Sequence, residues 1–303
     1  MIGPYVSPRK RRFTKLDLSL GFLILVAVLW LGPAFIYAGG YRWDWSVIPR
    51  YLVRTDRVTG ELRPNVLLNG FFTTLRLSLW SGVLAMFIGL VMGTLATRRR
   101  PLARMITRTY VEFARNTPPL VLVFLFYYFL GDQIVAILGI DRWAGSLGPG
   151  ATRWVTILAA PPRQLPAFVS AVATLGIFEG AYLSEIVRAG IQSVPRGQWE
   201  AGYALGFSPR DRFRFVILPQ AWRVVLPATV GQFISIIKDS SIVAIISIPE
   251  MTFQGLEVMA GTYRTFEIWI FIAAMYFLLS SVLSGFAHFV ERRISIPGST
   301  NVS

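Results

Sequence analysis

The residues best placed to do chemistry are ionisable ones stranded in apolar stretches. Lys238 and Asp239 lie inside the apolar run from Gln220 to Ile248, followed by the hydroxyls of Ser240 and Ser241 and preceded by Pro227 and Gly231. A lone charge at bilayer depth costs about 2.5–3.5 kcal/mol, so it needs a partner, water or a solute. Asp239 can receive an ammonium group. Lys238, or backbone donors near Ser240, can receive a carboxylate. Asn116 can add a hydrogen bond, and Glu179, in the apolar run from Ala167 to Ile191, can face the same cavity. Glu185 is different, because Arg188 follows it by three residues and a same-face ion pair is expected. This is the chemistry of holding a charged solute, not of breaking a bond, and no catalytic residue is expected.

Other chemistries are excluded by composition. There is no cysteine, so no disulfide and no thiolate metal site, and the single His288 rules out a multi-histidine centre. His288 itself reads as an interfacial side chain near the end of the last apolar segment. The lysines are Lys10, Lys15 and Lys238, none following a glycine, so the chain has no G-x-x-x-x-G-K-[ST] phosphate loop. Any ATP hydrolysis must occur on another subunit. The net charge of +14 suggests nucleic acid, but most of it sits in short loops between apolar segments, and no nucleic-acid partner is expected.

The elements that position these groups are membrane spans. Of 303 residues 54% are hydrophobic, with a mean hydropathy of +0.54, which is too apolar for a soluble domain. Roughly 20 apolar residues cross a bilayer. Spans are expected over about 18–38, 67–97, 110–130, 167–191, 220–248 and 266–290. The fold class is all-α: a polytopic bundle of about six transmembrane helices. The first run is longer than the roughly 7–15 apolar residues of a signal peptide and reads as an uncleaved helix. Gly89 with Gly93, and Gly176 with Gly180, are small-x-x-x-small pairs that allow close helix packing. Arg76 is expected to snorkel at an outer end. The prolines Pro118 and Pro119 disturb the start of the third span. Residues 39–65 and 131–166 read as outer loops, and a loop carrying Glu250 and Glu257 precedes the last span. The cations crowd at Arg9 to Lys15, Arg98 to Arg108 and Arg196 to Arg214, with fewer in the alternate loops. That bias puts both termini and the 196–219 loop in the cytoplasm.

That loop holds the most specific pattern. Residues 198–205 read as a short helix stopped by Gly206, and Ser208-Pro209 restarts the chain with a cap and a first-turn proline. Glu200-Ala201-Gly202, then Gly206, then Val216 and Leu218-Pro219 resemble the E-A-A-x3-G-x9-I-x-L-P cytoplasmic loop of ABC importer permeases. Gly202 replaces the second Ala and Val216 replaces Ile. Three further stretches resemble the polar amino-acid branch of that family. Arg115-Asn116-Thr117-Pro118 is similar to R-G-T-P-L-L, with Asn116 for Gly and Pro119 for Leu. Residues 180–194 are similar to S-A-Y-x-A-E-I-x-R-G-G-I-x-S-V. Lys238-Asp239-Ser240-Ser241 is similar to K-D-S-S-L, with Ile242 for Leu. Likeness runs from about Leu67 to Arg293.

The resemblance implies a permease subunit of a binding-protein-dependent importer in a bacterial inner membrane, taking up a polar amino acid by alternating access. It implies partners: a cytoplasmic ATPase dimer, a second permease, identical or homologous, and a periplasmic or lipid-anchored solute-binding protein. ATP and Mg would bind the ATPase, and this chain would hold no cofactor. The coupling positions are then Glu200, Ala201, Gly202, Gly206, Leu218 and Pro219. The implied organisation is an extra span and outer loop over 1–66, a transport domain over 67–293 and a tail over 294–303. A permease for another solute, or a secondary transporter or channel, is the alternative; the latter two need no ATPase dock and leave the Glu200–Pro219 spacing unexplained.

Overall fold

The computed structural model describes residues 17, 19–23, 25, 26, 29, 30, 41–56, 59–98 and 100–294. They fall into two units, Met1–Asp44 and Trp45–Ser303. In the first unit the described residues between 17 and 30 are helical. Most of the span expected over 18–38, the basic N-terminal tail and residues 295–303 lie outside the described residues, as does the side chain of His288.

The second unit is built on eight principal helices. They are α1 (Val66–Ala96), α2 (Pro101–Asn116), α3 (Pro119–Leu138), α4 (Leu165–Gln192), α5 (Arg196–Ala204), α6 (Leu218–Asp239), α7 (Met251–Thr262) and α8 (Thr265–Ile294). Five stretches are long and apolar enough to cross a membrane: Val66–Ala96, Pro119–Leu138, Pro162–Gln192, Pro209–Ile246 and Thr265–Ala287. At about 1.5 Å per residue each exceeds or matches the roughly 30 Å hydrocarbon core. A helix satisfies its backbone polar groups internally, which hydrocarbon requires, and Pro227 inside α6 removes one such donor.

The glycine pairs set the closest packing. An added Cβ on Gly89 would lie 2.6 Å from Leu183 Cβ, and one on Gly93 2.6 Å from the Ser184 carbonyl oxygen. In return Gly176 receives Leu84 and Gly180 receives Ile88. The contact numbers rise together, so α1 and α4 run parallel. The basic loop after α1 and the loop after α4 therefore share one end of the bundle. Nothing in the hydrophobic effect drives helices together inside lipid, so this close approach is what dispersion needs.

Four expectations need correction. The third span does not open at Tyr110. Thr117 and Pro118 have ψ of 138° and 133°, because a residue before proline avoids the helical region, and this splits the segment into α2 and α3. Asn116 therefore ends α2. Residues 131–166 are not a plain loop: α3 runs to Leu138, and helices Ile140–Gly145 and Pro149–Leu158 follow, the first after left-handed Gly139 (φ 61°). Residues 39–65 contain helix Val47–Leu52 and a hairpin, β1 (Val53–Thr55) with β2 (Leu62–Pro64). Val47 and Ile48 pack with Leu67, Val258, Ile268 and Ile272. Finally, Glu250 is the buried N-cap of α7. It accepts from Phe253 N (2.8 Å), Thr74 Oγ1 (3.3 Å) and Tyr276 Oη (2.8 Å), tying α7 to α1 and α8. Burial pushes its carboxyl pKa up, against these hydrogen bonds.

Gly93→Val should destabilise the bundle by about 1–3 kcal/mol through overpacking. Gly231→Ala, whose Cβ meets nothing within 4 Å, should not. Thermal unfolding in detergent checks this: a fall of several degrees for the first and none for the second is expected, and equal stability of the two would contradict the packing.

Candidate functional site: a docking loop and a polar path

At the shared basic end, α5 closes with a left-handed glycine. Gly206 has φ +76°. Its N–H donates to the Tyr203 carbonyl (2.9 Å), and Phe207 N–H reaches back to Gly202 O (3.2 Å). This double bond pattern seals the helix end, and only a residue tolerating positive φ fits it. Ser208 then caps the next turn, its Oγ accepting from Asp211 N (3.2 Å) while donating to Asp211 Oδ2 (2.6 Å). Pro209 follows in the first turn, as the sequence signals require. A π-helical turn, Arg212–Ile217, leads to Leu218-Pro219 at the start of α6.

The two faces of α5 differ. Glu200 and Ala201 are exposed, and so are Tyr203 (75%) and Leu205 (74%), large apolar groups on a loop outside the spans. On the inner side Trp199 packs on a cluster of Val187, Ile191, Val194, Ile217, Ala221 and Val225. That cluster joins α5 to the ends of both α4 and α6. Arg212, which sequence reasoning did not single out, clamps the helix. Its guanidinium lies over Trp199 and Tyr203 (5.9 Å to each ring). A Cβ on Gly202 would meet Arg212 Cγ at 2.9 Å, so glycine at this position makes room for the Arg212 stem.

The second constellation lies midway along α4. Glu179 is fully buried; Gln232 Nε2 of α6 donates to its Oε2 (2.7 Å), and among the described residues no nitrogen or hydroxyl donates to Oε1. Asp239 lies close enough to interact with it. Tyr182, one turn on, lies under the Arg115 guanidinium (5.7 Å). Glu179 and Asp239 thus meet beside Tyr182 and Arg115, with Gln232 bonded to Glu179. Gln232 carries no motif signal, and Tyr182 is the tyrosine of the 180–194 motif, which says nothing of its place beside Glu179. Lys238 is exposed and has no carboxylate within 4 Å among the described residues. Ser240 Oγ donates to Ile237 O and Ser241 Oγ to Lys238 O (2.7 Å each), so both hydroxyls finish the helix end as it tightens into the 3₁₀ turn Ser240–Ile246. Asn116 is exposed at the α2–α3 break. Glu185 makes the expected pair, accepting both Arg188 Nε (3.0 Å) and a terminal nitrogen (2.7 Å).

Residues 85–296 match the family described as binding-protein-dependent transport system inner membrane component. The chain belongs to this family. The permease is 34% identical over 225 residues to the glutamine transport system permease protein GlnP of Escherichia coli (strain K12), spanning 73% of this chain and 91% of that one. It is 33% identical to the L-cystine transport system permease protein TcyB of Bacillus subtilis (strain 168), over 76% of this chain and 86% of that one. Among solved structures, the crystal structure of an amino acid ABC transporter with histidines superposes with a TM-score of 0.60 at 31% identity, covering 75% of this chain and 94% of that one. The permease is accordingly a multi-pass inner-membrane component, and α4 with the last turns of α1 lies within the residues matched by the family.

If Arg212 orients α5, then Arg212→Ala should speed amide exchange across α5 by about tenfold while the middles of α1 and α4 stay protected. Hydrogen exchange on the purified permease measures this. Unchanged exchange in α5 would remove Arg212 from that role.

Proposed function

We propose that this permease moves a polar α-amino acid by alternating access, driven by a separate ATPase that grips α5. The observation that carries the cargo class is the Glu179–Asp239 pair. A buried carboxyl oxygen to which no described group donates, beside a second carboxyl group at mid-span, is an arrangement that a cation satisfies. The ammonium of an amino acid meets it, and Arg115 over Tyr182 offers a counter-charge for the carboxylate. Relatives named for glutamine, glutamate/aspartate and cystine support the same class.

The exposed Glu200–Leu205 face is the dock for the ATPase dimer, with Gly206, Leu218 and Pro219 fixing its exit. Because Trp199 shares a cluster with α4 and α6, a push on α5 moves both helices that hold the Glu179–Gln232 bond. ATP and Mg belong to the ATPase; the permease binds no cofactor and performs no bond chemistry. A second permease, identical or homologous, and a periplasmic or lipid-anchored binding protein complete the assembly. Both termini and α5 face the cytoplasm, residues 1–66 are an addition to the transport domain of 67–293, and 294–303 is a tail.

In proteoliposomes holding the complete transporter, Asp239→Asn should lower uptake of radiolabelled glutamine at least tenfold while basal ATP hydrolysis persists. Uptake at the wild-type rate would remove Asp239 from the path.

A further inference from the structure

A cavity of about 380 Å³ opens between α1, α2 and α4, lined by Arg104, Arg108, Arg115, Arg188, Glu112 and Glu185. Two of the arginines are already matched: Arg108 Nε donates to Glu112 (2.7 Å), and Arg188 grips Glu185 through two nitrogens. Among the described residues Arg104 and Arg115 have no carboxylate within 4 Å. The neutral hydroxyls in the wall are spent on backbone, Thr107 Oγ1 on Ala103 O (3.0 Å) and Ser184 Oγ on Ala181 O (2.9 Å). What the cavity offers a ligand is therefore guanidinium donors in excess. Planar guanidinium groups bind carboxylates two-pronged, which makes the site selective for that shape as well as charge.

Position says whose carboxylate. Glu185, Arg188 and Gln192 follow Glu179 along α4 toward α5, so the cavity lies on the docking-loop side of the buried Glu179. Arg115 belongs to both places: it lines the cavity, and its guanidinium covers Tyr182, the next turn after Glu179. A solute leaving Glu179 toward the α5 end meets Arg115 first and then a basin whose volume suits a free amino acid.

We propose that this arginine basin is a second cargo subsite, one that holds the carboxylate of the amino acid after it leaves Glu179 and Asp239. The inference rests on the proposed function and names the subsite through which the cargo exits. Handing the molecule from a carboxylate pair that holds its ammonium to arginines that hold its carboxylate keeps one charged end matched at each stage. Neither end is then stranded at low dielectric.

The chain has no cysteine, so a single probe reports the basin cleanly. Ala96→Cys places a thiol in its wall. In the complete transporter, solubilised, the rate of labelling by a small thiol reagent is measured with L-glutamine, L-glutaminamide or inorganic phosphate present. L-Glutamine should slow labelling at least threefold, the amide lacking the α-carboxylate should not, and Arg104→Gln with Arg115→Gln should abolish the protection. Arg163→Gln, outside the basin, should leave protection unchanged. Protection by the amide equal to that by glutamine, or by phosphate equal to that by glutamine, would overturn a carboxylate subsite for cargo. So would the absence of any protection. Loss of uptake in Asp239→Asn alongside absent protection would sink the subsite and leave the proposed function standing.

Discussion

Everything in this permease hangs on the parallel contact of α1 and α4. Two glycines on each helix remove the side chains that would hold the axes apart, and Leu84, Ile88, Leu183 and Val187 fill the notches left behind. With no hydrophobic drive between helices in lipid, such close van der Waals contact is one of few available sources of affinity. Helix α4 is the part that must be held still. It carries Glu179 toward α6, Glu185 and Arg188 toward α2, and α5 just beyond its end.

From that helix two kinds of polar group are managed in opposite ways. Glu185 is neutralised locally by Arg188, which restricts two side chains but leaves little unmet charge. Among the described residues Glu179 accepts one hydrogen bond, from Gln232, and faces the carboxyl of Asp239. Leaving a buried oxygen unpaired costs about 1–3 kcal/mol or more, and such a cost is expected where a ligand is to supply the missing partner. Glu250, equally buried, takes three hydrogen bonds and serves the fold, locking α7 to α1 and α8.

Much of this was legible in the sequence where the signal is local. Gly206 and Ser208-Pro209 announce a helix stop and restart through backbone chemistry that needs no tertiary partner. The Gly-x-x-x-Gly spacings announce a packing face, and Glu185 three residues before Arg188 announces a pair. The break at Thr117–Pro118 was half legible: the prolines flagged it, but the apolar run hid that α2 is a helix of its own. Gln232 was silent, and Tyr182 was visible only as a motif letter, because their role comes from helices far apart in sequence, and hydropathy carries no trace of that. Glu250 read as loop because an N-cap and a loop acid look alike until the helix behind it is seen. The Gly202 departure from the loop signature became intelligible only with the stem of Arg212 against it.

The central claim is mechanical: the Trp199 cluster makes α5, α4 and α6 one lever, so that ATPase movement reaches Glu179. The direct measurement is the number of amino acids imported per ATP hydrolysed by the reconstituted transporter carrying Trp199→Ala. Hydrolysis should continue while imported cargo per ATP falls at least tenfold, because the dock still engages but no longer drags the spans. An unchanged ratio would contradict the lever.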